Sequence, residues 1–115
     1  MTEEQQKNVL NGIQAALEEM KDSGDDILFL ESKGNRGLIS GSVQGLAALF
    51  AYNMAAYPVF KLIIGMAEEL YGKHRKELES FVSQNRPPHE LIDNYGNDFS
   101  MMLKQFKNNQ DQTKQ

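Results

Sequence analysis

The sequence predicts an α+β fold: an N-terminal helix, one β-hairpin, and then three to four helices in a single compact domain. Three features carry this expectation. Apolar residues recur at helical spacing before residue 21 and again from Val43 onward. Between these segments lies the apolar run Ile27, Leu28, Phe29 and Leu30, too short for a helix and bounded by polar residues, as suits a strand. Finally, no charged residue stands between Arg36 and Lys61, so the densest apolar stretch of the chain must be covered by a core, a partner or a bilayer.

The first helix is read over residues 3–21, with Leu10, Ile13, Leu17 and Met20 on its buried stripe and Val9 and Ala16 beside them. Thr2 suits the N-cap, and Glu3 and Glu4 occupy the first turn, where the helix dipole favours negative charge. Ser23 and Gly24 end the helix, and Asp25 and Asp26 lead into the strand at 27–30. Because its residues do not alternate, that strand is expected to be buried on both faces. Lys33, Gly34, Asn35, Arg36 and Gly37 then form the turn, since two glycines and an asparagine tolerate positive φ. Residues 38–40 make the return strand.

Gly41 bends the chain and Ser42 caps a helix starting at Val43, with Leu46, Leu49, Phe50 and Met54 on one face. Alanines at 47, 48, 51, 55 and 56 leave a flank small enough for another backbone to approach closely. Pro58 pushes Tyr57 out of α geometry and suits the first turn of a new helix, so the chain is read as breaking between these two residues. The next helix reaches residue 83, with Ile63, Met66, Ala67, Leu70, His74, Leu78 and Phe81 along its buried side and Gly72 as its weak point. Glu69/Lys73, Lys73/Glu77 and Arg75/Glu79 form opposite-charge pairs at i,i+4. Pro87 and Pro88 stop it. Short helical segments at 90–95 and 99–107 follow, the second with Phe99, Met102, Leu103 and Phe106 on one face and Asn97 or Asp98 as its cap. Residues 1–107 are thus read as the domain, and the wholly polar residues 108–115 as a flexible tail.

Composition narrows the function classes. A formal charge of -4 offers no global attraction to phosphate backbones, and the basic cluster Lys73, His74, Arg75 and Lys76 lies among Glu68, Glu69, Glu77 and Glu79, so nucleic acid is not expected as a partner. With no cysteine, disulfides, thiolate metal sites and cysteine nucleophiles are excluded, and a reducing cytoplasm is compatible. The first twenty residues lack the basic start and continuous apolar run of a signal peptide, which places the beginning of the mature chain near Met1. Residues 43–61 have the length to cross a bilayer, but Gln44, Tyr52, Asn53, Tyr57 and Pro58 dilute their hydropathy, so a soluble core is expected and no membrane partner.

The glycines at 34, 37, 41 and 45 match neither a phosphate-binding P-loop nor a dinucleotide fingerprint. What remains is a helix start at Gly41, Ser42 and Gly45, whose free backbone N–H groups could hold an anion or ligand. Hairpin closure and helix capping account for the same residues without one. His74, with Glu77 three residues on, is either a general base with a carboxylate helper or a histidine at the margin of a core. His89 follows two prolines and is expected to be exposed. Asp25, Asp26 and Glu31 lack the ladder of a calcium loop. No catalytic residue, cofactor or metal ligand is therefore assigned, and the chain is not expected to be an enzyme.

Tyrosine and methionine provide adaptable contact surface, and a lone two-stranded hairpin is marginal unless covered or extended. These features favour a symmetric homodimer, joined through the hairpin edge or through Ala47, Ala51, Tyr52, Ala55 and Tyr57. The expected function is a non-catalytic protein–protein interaction or regulatory module. The alternative is a homo-oligomer that binds a small ligand or nucleotide at Gly41, Ser42 and Gly45. In size and style, a short acidic chain without a catalytic signature resembles the accessory proteins that bacteriophages and mobile elements encode, a resemblance that implies a host protein as partner.

Overall fold

Thr2 opens the first helix as a capping box: its hydroxyl accepts the Gln5 N–H at 3.1 Å, and the Gln5 side chain accepts the Thr2 N–H at 2.8 Å. The computed structural model describes the backbone of residues 1–113 and the side chains of residues 1–108. Its elements are α1 (Glu3–Glu19), β1 (Ile27–Glu31), β2 (Arg36–Ser40), α2 (Val43–Ala56), α3 (Pro58–Ser83), a 3-10 turn (Pro88–Glu90), α4 (Leu91–Asn94) and α5 (Gly96–Thr113). This is the α+β layout read from the sequence. The contacts cluster into two units, one from Met1 to Tyr52 and one from Asn53 onward.

In the first unit β1 and β2 form an antiparallel hairpin, with Ile27 opposite Ser40, Phe29 opposite Leu38 and Glu31 opposite Arg36, and α1 packs on β2. Side chains alternate across a strand, so Leu38 and Ser40 share a face, and both are buried. On the other face Leu30 is 67% and Ile39 64% exposed. The expectation of a strand buried on both sides is therefore corrected, because α1 covers the hairpin from one side only. The helix also presents a different stripe from the one expected. Leu10, Gln14 and Leu17 are half-buried, whereas Val9, Ile13 and Met20 are exposed. Gln14 holds the central position because its amide donates to the Gly37 carbonyl at 3.3 Å, satisfying a backbone acceptor that an apolar side chain would leave bare. Arg36 ties the same surfaces together, donating to Asn11 at 2.7 Å and pairing with Glu31 at 2.5 Å.

At the junction of α2 and α3, Tyr57 is extended (φ -129°, ψ 106°) and Pro58 starts the new helix, as its fixed φ and missing N–H dictate. In the second unit α3 packs on α5, and α4 lies against both the 3-10 turn and α5. The buried apolar side chains here are Leu70 and Phe81 of α3 and Met102 of α5. Met66 and Leu78 are half-buried, while Ile63, expected in the core, is exposed. Helix α3 leaves helical geometry at His74 (φ -125°, ψ 29°), two residues beyond the glycine that propensity marked as its weak point. Its C-terminal end is closed by Arg86, which lies 4.3 Å over the Phe81 ring and pairs with Glu90 at 2.8 Å. Helix α5 begins at Gly96, earlier than read from the sequence, and its backbone stays helical to Thr113, past the apolar spacing that ends at Phe106. Of the polar tail expected at 108–115, residues 114 and 115 lie outside the described residues.

Candidate functional site

The start of α2 was one candidate site. Ser42 caps the helix, its hydroxyl accepting the Gly45 N–H at 2.9 Å and its carbonyl accepting the Leu46 N–H at 2.9 Å. A carboxylate of the chain itself stands at this end: Asp26 Oδ1 accepts the Ser42 N–H at 3.0 Å. Gly41 has φ 120°, a conformation that side chains disfavour, and a β-carbon at either Gly41 or Gly45 would run into the Asp26 carboxylate. The two glycines therefore make room for Asp26, and the anion held by this helix start is internal.

The second candidate was the alanine flank of α2. Leu46, Leu49, Phe50 and Met54 are half-buried on the face read as packed, and Ala47, Ala51 and Ala55 lie exposed on the other side. Tyr52 is 74% and Tyr57 58% exposed. Among its residues α2 has none that is fully buried and none that is charged.

A third group emerges only in three dimensions. His74, at the bend of α3, places Nε2 2.5 Å from Oδ2 of Asp98, in the first turn of α5, and Nδ1 3.6 Å from Oε2 of Glu77. Tyr95, which follows α4, lays its ring 4.6 Å from the imidazole and donates its hydroxyl to Glu77 at 2.8 Å. That hydrogen bond, then burial and the charges of Glu77 and Asp98, holds the Tyr95 hydroxyl above the usual phenol range. Glu77 is thus engaged by Tyr95 and His74, in place of the i,i+4 pair with Lys73 that its spacing suggested. Lys73 pairs with Glu69 and Arg75 with Glu79, each at 3.2 Å.

This geometry limits what the histidine can do. A general base must turn a ring nitrogen toward its substrate, yet here both nitrogens face carboxylates. Because those carboxylates sit at opposite ends of the ring, they cannot join one nitrogen around a single metal ion. Among the described residues no group of three histidine, cysteine or acidic side chains is placed to hold one. The Asp25, Asp26 and Glu31 set is dispersed: Asp25 accepts the Asp26 N–H, Asp26 serves α2, and Glu31 binds Arg36 and the Gly34 N–H. His89 is exposed in the 3-10 turn. No described helix is long and apolar enough to cross a membrane.

The His74 to Glu77 spacing was visible in the sequence. Asp98, 24 residues away, had no local signal beyond a place near a helix start. Comparisons with protein-family models, with curated proteins and with solved structures find no match.

Proposed function

We propose that this chain is a non-catalytic protein–protein interaction module that works as a homodimer, joined through the exposed flank of α2. The observation that carries this reading is the character of that helix. It is apolar and uncharged, yet Ala47, Ala51 and Ala55 are exposed together with Tyr52 and Tyr57. Small side chains let two helix backbones approach closely, and tyrosine adds contact area with little loss of conformational freedom. A second copy fits this surface because a two-fold axis brings each patch against itself, and a patch without charges meets no like-charge repulsion there.

Sedimentation at micromolar concentration tests the proposal. The expected result is a species near twice the 13.0 kDa chain mass. A single species at the chain mass overturns it. Ala51→Arg is expected to give a folded monomer, since it sets two guanidinium groups against each other across the axis. A dimer that survives this substitution uses another surface.

A further inference from the structure

We propose that the outer edge of β1 docks a second copy of this chain, strand against strand, in one fixed antiparallel register. This contact goes beyond the α2 dimer, does not rest on it, and lies wholly in the first unit.

The hairpin has one occupied edge and one open edge. In an antiparallel ladder, pairs that exchange main-chain hydrogen bonds alternate with pairs whose N–H and C=O groups point away from the partner strand. Gly37 belongs to the second kind, because its carbonyl is turned out to receive the Gln14 amide. Its partner Leu30, and the next such pair, Leu28 with Ile39, therefore point their groups outward too. On the β2 side α1 and Gln14 occupy the edge. On the β1 side the N–H and C=O groups of Leu28 and Leu30 meet no partner among the described residues. Such an edge is a template for another strand.

The sequence of β1 selects its own copy as that strand. Setting Leu28 opposite Leu30 of the second copy, about a two-fold axis at Phe29, lets every outward group of the two leucines meet its complement. A shift of one residue sets outward groups against inward ones, and a shift of two brings Asp26 or Ser32, outside the strand, opposite a leucine. In the symmetric register Leu28 covers Leu30 of the other copy on the open face, where Leu30 is 67% exposed in the single chain. Phe29 meets its own copy on the face toward α1. Charge agrees with this register, which sets Ile27 against Glu31, Asp26 against Ser32 and Asp25 level with Lys33, so that no acid faces an acid. Lys33 enters no ion pair among the described residues. A strand of five residues buries less than a stable interface needs, so the contact forms at sub-millimolar concentration, above the micromolar range that tests the α2 dimer.

The chain has no cysteine, so a single introduced one reports on its own copy. At the axis Phe29→Cys brings the two Cα atoms to about 4.5 Å, within disulfide reach, whereas Leu30→Cys leaves them about 8 Å apart. Mild oxidation of the full chain at sub-millimolar concentration is expected to link about tenfold more dimer from Phe29→Cys than from Leu30→Cys, with or without Ala51→Arg. If Phe29→Cys does not fold, the parent chain serves. Its Leu28 and Leu30 amide signals are expected to shift with concentration, and Leu30→Pro, which removes an outward N–H but no bond within the hairpin, should stop the shift at Leu28. Equal linking at positions 29 and 30, or linking that disappears with Ala51→Arg, overturns the proposal. So do Leu28 and Leu30 amides that ignore concentration. A synthetic peptide of residues 25–33 should move the same amides, and an equal response to its scrambled sequence would make the edge an acceptor of any strand, which overturns the second copy as its occupant.

Discussion

The Asp26 carboxylate accepts the backbone N–H of Ser42 at 3.0 Å, tying the residue before β1 to the cap of α2. This bond satisfies a free donor and sets a negative charge at the positive end of a helix with no acidic residue in its own first turn. Asp26→Ala is expected to lower unfolding stability by about 1 kcal/mol, measured by chemical denaturation. Asp26→Asn, which keeps an acceptor oxygen, should lose less. Equal stability of Asp26→Ala and the parent chain would show that the carboxylate does not cap α2.

Glu31 sets an acid limit on the hairpin. Its carboxylate accepts the Gly34 N–H at 2.8 Å and pairs with Arg36, and these contacts, the backbone bond foremost, hold its pKa below the ordinary 4.5 against the opposing effect of desolvation. A carboxyl with a depressed folded-state pKa adds stability above its unfolded value, and that stability is lost as pH falls through the folded value. Melting temperature should therefore decline as pH drops below 4.5, and Glu31→Gln should remove this share of the decline. An unchanged acid slope in the variant would count against the assignment.

Two leucine-sized positions seven residues apart lie on one side of α3 and differ in how far they are covered. Leu70 is 6% exposed and Ile63 54% exposed. Leu70→Ala should cost about 2 to 5 kcal/mol, because the void it leaves is lined by atoms that lose their contacts. Ile63→Ala should fall within about 1 kcal/mol of the parent chain in the monomer. Denaturant midpoints of the two variants check the pair, and a reversed order would mean that the start of α3, not its middle, is the covered stretch.

Local chemistry made the element boundaries legible. The hydroxyl of Thr2, the hydroxyl of Ser42 and the ring of Pro58 each act within a few residues, and each stands where the sequence placed it. The faces were harder, because burial depends on what lies opposite. Ile13 fits the helical stripe as well as Leu10 does, but Gln14 takes the inward position once a carbonyl at Gly37 is there to receive it. The bend of α3 shows the same limit. Propensity pointed to Gly72, while the backbone departs at His74, where the ring meets Asp98 and Tyr95. Neither partner of that histidine could be assigned before the chain between them had folded back.

The absence of charge from Gly37 through Phe60 also determines how α2 responds to the solvent. Dissolved salt weakens an attraction by gathering counter-ions around charged groups, and this helix has none to surround. The pairs Lys73–Glu69 and Arg75–Glu79 on α3 lie in the opposite regime, exposed and open to screening. Ions excluded from apolar surface, such as sulfate, make contact through α2 more favourable while leaving those pairs weaker. Ionic strength thus separates the two kinds of surface on one chain: brine weakens the exposed pairs of α3 and finds no charge to screen along α2.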